Sequence, residues 1–148
     1  MKEKIQSSLP DIQRSILIDA PIQKVWNAIS TTEGLALWLM PNDFKLKMDY
    51  EFTFISEPKR GWNGIINCKV TEITPPTRLA FTWCGNSLEQ YVSFELEEVE
   101  QDKTSFLLTH SGWTEENKMI RDIMYEGWGH LAEDLSNKIG EKNAKYLS

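Results

Sequence analysis

Few side chains in this 148-residue chain are of the types that do chemistry, and their spacing decides against most of it. His110 and His130 stand apart, in no HxxxH or HxE pattern, and with no paired cysteines they form no metal-ligand set. Cys68 and Cys84 fall in separate strand-like segments and read as small buried thiols, not as a redox motif or a zinc cluster. A GxSxG elbow, a phosphate loop and a dinucleotide fingerprint are all missing, so the sequence predicts no catalytic set, no metal and no cofactor. Most carboxylates sit on polar strand faces and in turns, with Glu95 and Glu97 on the face opposite Phe94.

What remains is an aromatic set that strand parity turns to one side. Phe52 and Phe54, Phe81 and Trp83, and then Phe94 and Phe106, alternate with polar neighbours and are expected to line the inside of a sheet. Trp38 and Met40 are placed near an entrance, and Met124, Gly127 and Trp128 on a helix facing the same space. Aromatic rings offer stacking area and methionine adapts to an irregular guest, so these residues can line a cavity; they can equally fill a core. His110 shares parity with Phe106 and Leu108, so its imidazole points inward, either to a guest or to a backbone carbonyl that satisfies it. His130 falls on the opposite side of its helix and is expected in solvent.

The elements that must position these residues are readable from period. Ile16 to Ile18 is a strand, Pro21 opens a helix whose buried face is Ile22, Val25, Trp26 and Ile29, and Thr31 or Thr32 caps a second helix with Leu35, Leu37 and Trp38 that Pro41 ends. The period then becomes two. Six strands are expected after the helices: Phe44 to Met48, Tyr50 to Phe54, Ile65 to Ile73 closed by Pro75-Pro76, Leu79 to Trp83, Val92 to Leu96, and Phe106 to His110. Turns are expected at Trp62 and at Gly85-Asn86. From Thr114, a plausible cap, Ile120, Met124, Trp128, Leu131, Leu135 and Ile139 recur at three- and four-residue spacing, and Gly140 stops one long helix. Gly127 falls on that apolar stripe, where glycine costs about 1 kcal/mol relative to alanine. Either the missing side chain leaves room for a guest, or it lets a strand approach closely.

Strand, two short helices, strands, long helix is an α+β order, with an antiparallel sheet curled around the C-terminal helix. With 41% hydrophobic residues, the chain is sized for one domain with a core from about Ile12 to Ile139 and polar tails at both ends. A net charge of −6 and no lysine block argue against a nucleic-acid partner. No apolar run reaches the roughly 20 residues of a membrane span, and MKEKIQSSLP lacks the apolar centre of a signal peptide, so a cytoplasmic location is expected.

The stretches API-KVW-AI-TTEGLALW-MP, G-I---VTEITPPTRLAFTW, TSFLLTHSGW and EGWGHLAEDL, in this order, resemble the SRPBCC or START-like helix-grip superfamily, in the branch of activator of heat-shock protein 90 ATPase homologue-like proteins. One departure is visible: Met48-Asp49 stands where such proteins often carry a glycine pair between their second and third strands. The resemblance implies a helix-grip fold with a hydrophobic cavity, in a superfamily of lipid and hormone carriers, cyclases and co-chaperones. Three readings follow: binding of a small apolar or aromatic ligand, stimulation of a chaperone partner's ATPase, and a cyclase or hydrolase-like enzyme. The single domain counts against the second, because eukaryotic co-chaperones of this branch join this domain to another.

Overall fold

The computed structural model describes residues 8–58, 63–85 and 89–140. Strand β1 (Ile12–Ile18) buries both its end residues and leads to Ala20, whose carbonyl accepts from the Thr104 hydroxyl at 2.8 Å. Helix α1 (Ile22–Ile29) follows with Pro21 at its N-cap in an extended conformation, one position before the helical start expected for it. Its apolar face is Val25, Trp26 and Ile29, all buried, with Ile22 partly buried beside them. Helix α2 (Thr32–Trp38) is capped by Thr31, whose hydroxyl accepts from Gly34 N at 2.9 Å. Leu35 and Trp38 are buried, whereas Leu37, expected with them, is 49% exposed because it faces away from α1.

Among the described residues five strands follow the helices, not six. They are β2 (Glu51–Ile55), β3 (Ile65–Thr74), β4 (Arg78–Trp83), β5 (Gln90–Glu100) and β6 (Lys103–Ser111). The expected strand from Phe44 to Met48 is a loop instead. Its alternation is misleading, since only Phe44 is buried, while Leu46 and Met48 are 42% and 49% exposed with no sheet to cover them. The Asn42 side chain caps Phe44 N at 3.0 Å, and the Tyr50 N–H turns back to the Lys47 carbonyl at 3.1 Å. Asp49 has φ +64°, the left-handed region in which glycine is at ease, so an aspartate meets here a backbone demand usually met by glycine. Pro75-Pro76, joined by a cis bond, does end β3. Trp62 and Asn86, expected in turns, lie outside the described residues.

The six strands form one curved antiparallel sheet in the order β1-β6-β5-β4-β3-β2. A 3-10 turn (Glu115–Asn117) begins at the expected cap Thr114, and the long helix α3 (Lys118–Ile139) follows it. That helix lays Trp128, Ala132, Leu135 and Ile139 into the core, where they meet the inward rows of the sheet and the buried faces of α1 and α2. The result is the α+β helix-grip architecture that the sequence predicts. No helix of the described residues is long and apolar enough to cross a membrane.

Candidate functional site

Strand parity does turn the aromatic set inward, and the rings then meet one another. Phe52, Phe54, Phe81, Phe94 and Phe106 are at most 2% exposed. Ring centroids lie 5.3 Å apart for Phe52 and Phe54, 5.5 Å for Phe52 and Phe81, 5.6 Å for Phe81 and Phe94, and 5.5 Å for Phe94 and Phe106. Most of these pairs are tilted or edge-on, as the ring quadrupole favours. Trp38 joins from α2, 5.6 Å from Phe94, with its indole N–H on the Ala28 carbonyl at 2.9 Å. Met40 is partly buried against this cluster. This part of the predicted lining is packed in direct ring contact.

At one end of the sheet the character changes. The register sets Trp83 opposite Gln90 and Val92 opposite His110, which brings the inward side chains at the ends of β4, β5 and β6 together. Trp128 reaches this point from α3 and Trp113 from just beyond β6. Its ring lies 5.4 Å from Trp83, and that of Trp113 lies 4.7 Å from His110. The Trp128 indole N–H donates to His110 Nδ1 at 2.9 Å, which makes Nδ1 the acceptor and leaves the proton of the neutral ring on Nε2. Nε2–H therefore donates to Gln90 Oε1 at 2.8 Å. The Trp113 indole N–H takes the His110 carbonyl at 3.0 Å. His110 is fully buried, and burial among these neutral rings pushes its pKa down to about 3. The satisfied histidine expected from sequence is present, with side chains rather than a backbone carbonyl as its ring partners.

This tautomer fixes the glutamine amide. Because Oε1 must face His110, Nε2 points away from it, and Nε2 is buried without a hydrogen-bond partner among the described residues, on a side chain 1% exposed. A buried donor left unpaired costs roughly 1–3 kcal/mol. Gly112, at φ +100°, lets the chain after β6 pass close to Gln90, since a side chain there would come within 3.2 Å of Gln90 Cα and Cγ.

Trp128 also marks where α3 loses its cover. On one side of the helix, Gly129 makes room for Arg14, whose guanidinium stacks 4.2 Å above the Tyr125 ring and donates to the Tyr125 carbonyl at 3.1 Å. The other side carries Gly127, with Ile120, Ile123, Met124 and Leu131 three, four or seven residues away, hence its surface neighbours. Near the C-terminus, α2 covers this side, and the Lys138 ammonium donates to the Leu37 carbonyl at 2.8 Å. Near the N-terminus it is open. A Cβ at Gly127 would meet nothing within 4 Å among the described residues, so close approach of a described strand does not explain this glycine. Ile123 and Met119 are 65% and 77% exposed there, and Met124 is partly buried.

Two clefts on the outer face of the sheet are of another kind. One runs past Glu72, Arg78 and Glu95, where the guanidinium bonds both carboxylates at 2.7 and 2.9 Å; the other is bordered by Asp43, Thr53, Asn67, Lys69 and Thr82. Their linings mix charged and polar side chains with apolar ones, Phe52 and Cys68 in one and Leu96 and Leu107 in the other. Among the described residues no group of three or more His, Cys, Asp or Glu side chains is placed to hold a metal ion. His130 is exposed on α3, and Cys68 is buried, which raises its thiol pKa well above the usual range.

The aromatic members of the predicted site thus form one continuous cluster, with ring centroids 5.7 Å apart for Phe54 and Trp83 and 6.3 Å for Phe94 and Trp128, whose two ends differ in character. Trp83, His110 and Trp128 meet at the sheet end, with Gly127 and Met124 on the adjoining uncovered side of α3. Trp38, Met40, Phe52, Phe54, Phe81, Phe94 and Phe106 lie in or against the packed interior. Sequence reasoning missed Gln90 and Trp113. Gln90 was legible as a polar residue two places before Val92 on an inward row, had β5 been started early enough. Trp113 follows the strand, beyond the reach of parity.

A family description, activator of Hsp90 ATPase homolog 1-like protein, matches residues 19–139. Among solved structures, a Bacillus halodurans protein determined in solution is 35% identical, with 90% of this chain and 99% of that one covered at a TM-score of 0.78. The Aha1 dimer of Colwellia psychrerythraea is 23% identical over 89% of this chain and 97% of that one, with a TM-score of 0.75. An HSP90 activator from Plasmodium falciparum is 21% identical over 70% and 73%, with a TM-score of 0.59. The last two likenesses speak for the fold alone. Comparison with curated proteins finds no match.

Proposed function

The chain belongs to the activator of Hsp90 ATPase homolog 1-like family, and from that premise we propose that it is a non-catalytic binding module for a small apolar or aromatic molecule. The guest lies along the N-terminal half of α3, on the side that carries Gly127. The observation that carries this reading is the open space at Gly127, flanked by exposed apolar side chains and backed by Trp128. Covering apolar surface there is worth about 25 cal/mol per Å², a driving force that needs no charged partner. The phenylalanine interior has no part in the site, because its rings already occupy one another. His110 is a structural post: both its ring nitrogens are engaged and its proton is fixed, so it is unsuited to proton transfer.

A second reading, contact with heat-shock protein 90 and stimulation of its ATPase, is favoured by the family description and by the exposed Met119 and Ile123. One pair of measurements separates the two. Native mass spectrometry of protein taken from its source cells is expected to show a co-purified small molecule, and adding the protein to its own organism's heat-shock protein 90 is expected to leave the ATPase rate unchanged. An empty protein that raises the rate saturably reverses the ranking.

A further inference from the structure

We propose that the guest carries a neutral hydrogen-bond acceptor, a carbonyl oxygen, which takes the free Nε2–H of Gln90. The inference rests on the binding reading above and adds the polar end of the site. Gln90 has one amide atom spoken for: His110 Nε2–H holds Oε1, and the indole of Trp128 holds the ring tautomer that makes this obligatory. The group left unpaired is a donor, so the complementary group is an acceptor.

The surroundings set its charge. The side chains in contact with His110 beside Gln90 are Trp83, Trp113 and Trp128, all neutral, and His110 itself is held neutral. A carboxylate or phosphate accepting from Gln90 would be buried with no cation among these neighbours to offset its desolvation. A carbonyl loses far less on leaving water and recovers it in the bond. Trp128 links the two ends of the site, bonded to His110 on one side and adjoining Gly127 on the other, so the acceptor leads inward and the apolar body rests on the uncovered side of α3.

The test compares two rigid probes of one shape, 9-fluorenone and fluorene, which differ by a single carbonyl. Burial alone favours fluorene, the more apolar of the two, so a preference for fluorenone has the sign that only a polar contact gives. Calorimetric titration of the wild-type protein is expected to show fluorenone binding roughly tenfold tighter, the equivalent of about one buried hydrogen bond. In Gln90→Met the preference for fluorenone should be lost, the ratio falling to one or below, with fluorene binding little changed. Since that variant also unpairs His110 Nε2, a second readout uses the wild type: the side-chain amide resonances of Gln90 should move with fluorenone and stay with fluorene. Equal affinity for both probes overturns the acceptor assignment and leaves the binding module standing, whereas saturable binding of neither overturns both.

Discussion

Gly34→Ala is expected to destabilise the protein by roughly 3 kcal/mol, although alanine is the better helix former by about 1 kcal/mol. A Cβ on Gly34 would lie 2.6 Å from the Asn27 carbonyl oxygen and 2.7 Å from both Ala28 Cα and its carbonyl oxygen. These are backbone atoms of the α1 end, so no side chain can swing aside. The whole of α2 must shift, and with it the Trp38 indole, which holds the Ala28 carbonyl at 2.9 Å and packs on Phe94. A fall in Tm of roughly 10 °C is the matching thermal signature. An unchanged or higher Tm would show that the two helices do not pack as described.

Acidification is expected to remove stability in a window set by His110. An imidazole free in the unfolded chain titrates near 6.5, whereas burial in the folded protein holds His110 at about 3. The depressed value gives the sign: below about pH 6.5 the unfolded chain takes up a proton that the native protein refuses, so stability falls as pH falls towards 3. The limiting slope is about 1.4 kcal/mol per pH unit, so the loss at pH 5 is of the order of 2 kcal/mol relative to pH 8. Glu72 acts lower on the scale, because its hydrogen bond with Arg78 depresses its pKa, and its share of stability fades only as that carboxylate protonates. Urea unfolding from pH 8 to 5 checks the slope. In His110→Gln the slope should be lost whatever the variant's absolute stability; an unaltered slope would assign the window to other groups.

Legibility in the sequence followed the period of the hydrophobic pattern. Residues 120 to 139 repeat at helical spacing, and the inward rows of β2, β4, β5 and β6 repeat at two, so burial fixed both. The same rule misled at Phe44 to Met48, where alternation arose with no second strand to bury it and Asp49 turned the chain. Parity turned Trp83 and His110 inward, and both are buried. Periodicity cannot tell a ring that lines a space from a ring that fills one: Phe54 and Trp83 have the same parity, touch each other and share Phe81, and Trp83 also meets His110. Nor could it reveal Gln90, whose significance lies in a tautomer fixed by a tryptophan on another element. Gly127 was conspicuous by position alone, and only three-dimensional contact distinguished room from close approach.

Gly34 and Gly127 therefore carry opposite predictions, and Gly127 bears on the binding reading itself. Gly127→Leu places a branched side chain beside Trp128, where its Cβ meets none of the described residues and helix propensity rises by up to about 1 kcal/mol. The decisive measurement is a fluorescence titration of wild type and Gly127→Leu with N-phenyl-1-naphthylamine, a neutral apolar probe, alongside the Tm of each. The account predicts saturable binding to the wild type, at least tenfold weaker binding to the variant, and a Tm as high or higher. A variant that binds the probe as well as the wild type does, or a wild type that does not bind it, would contradict a guest site on this side of α3.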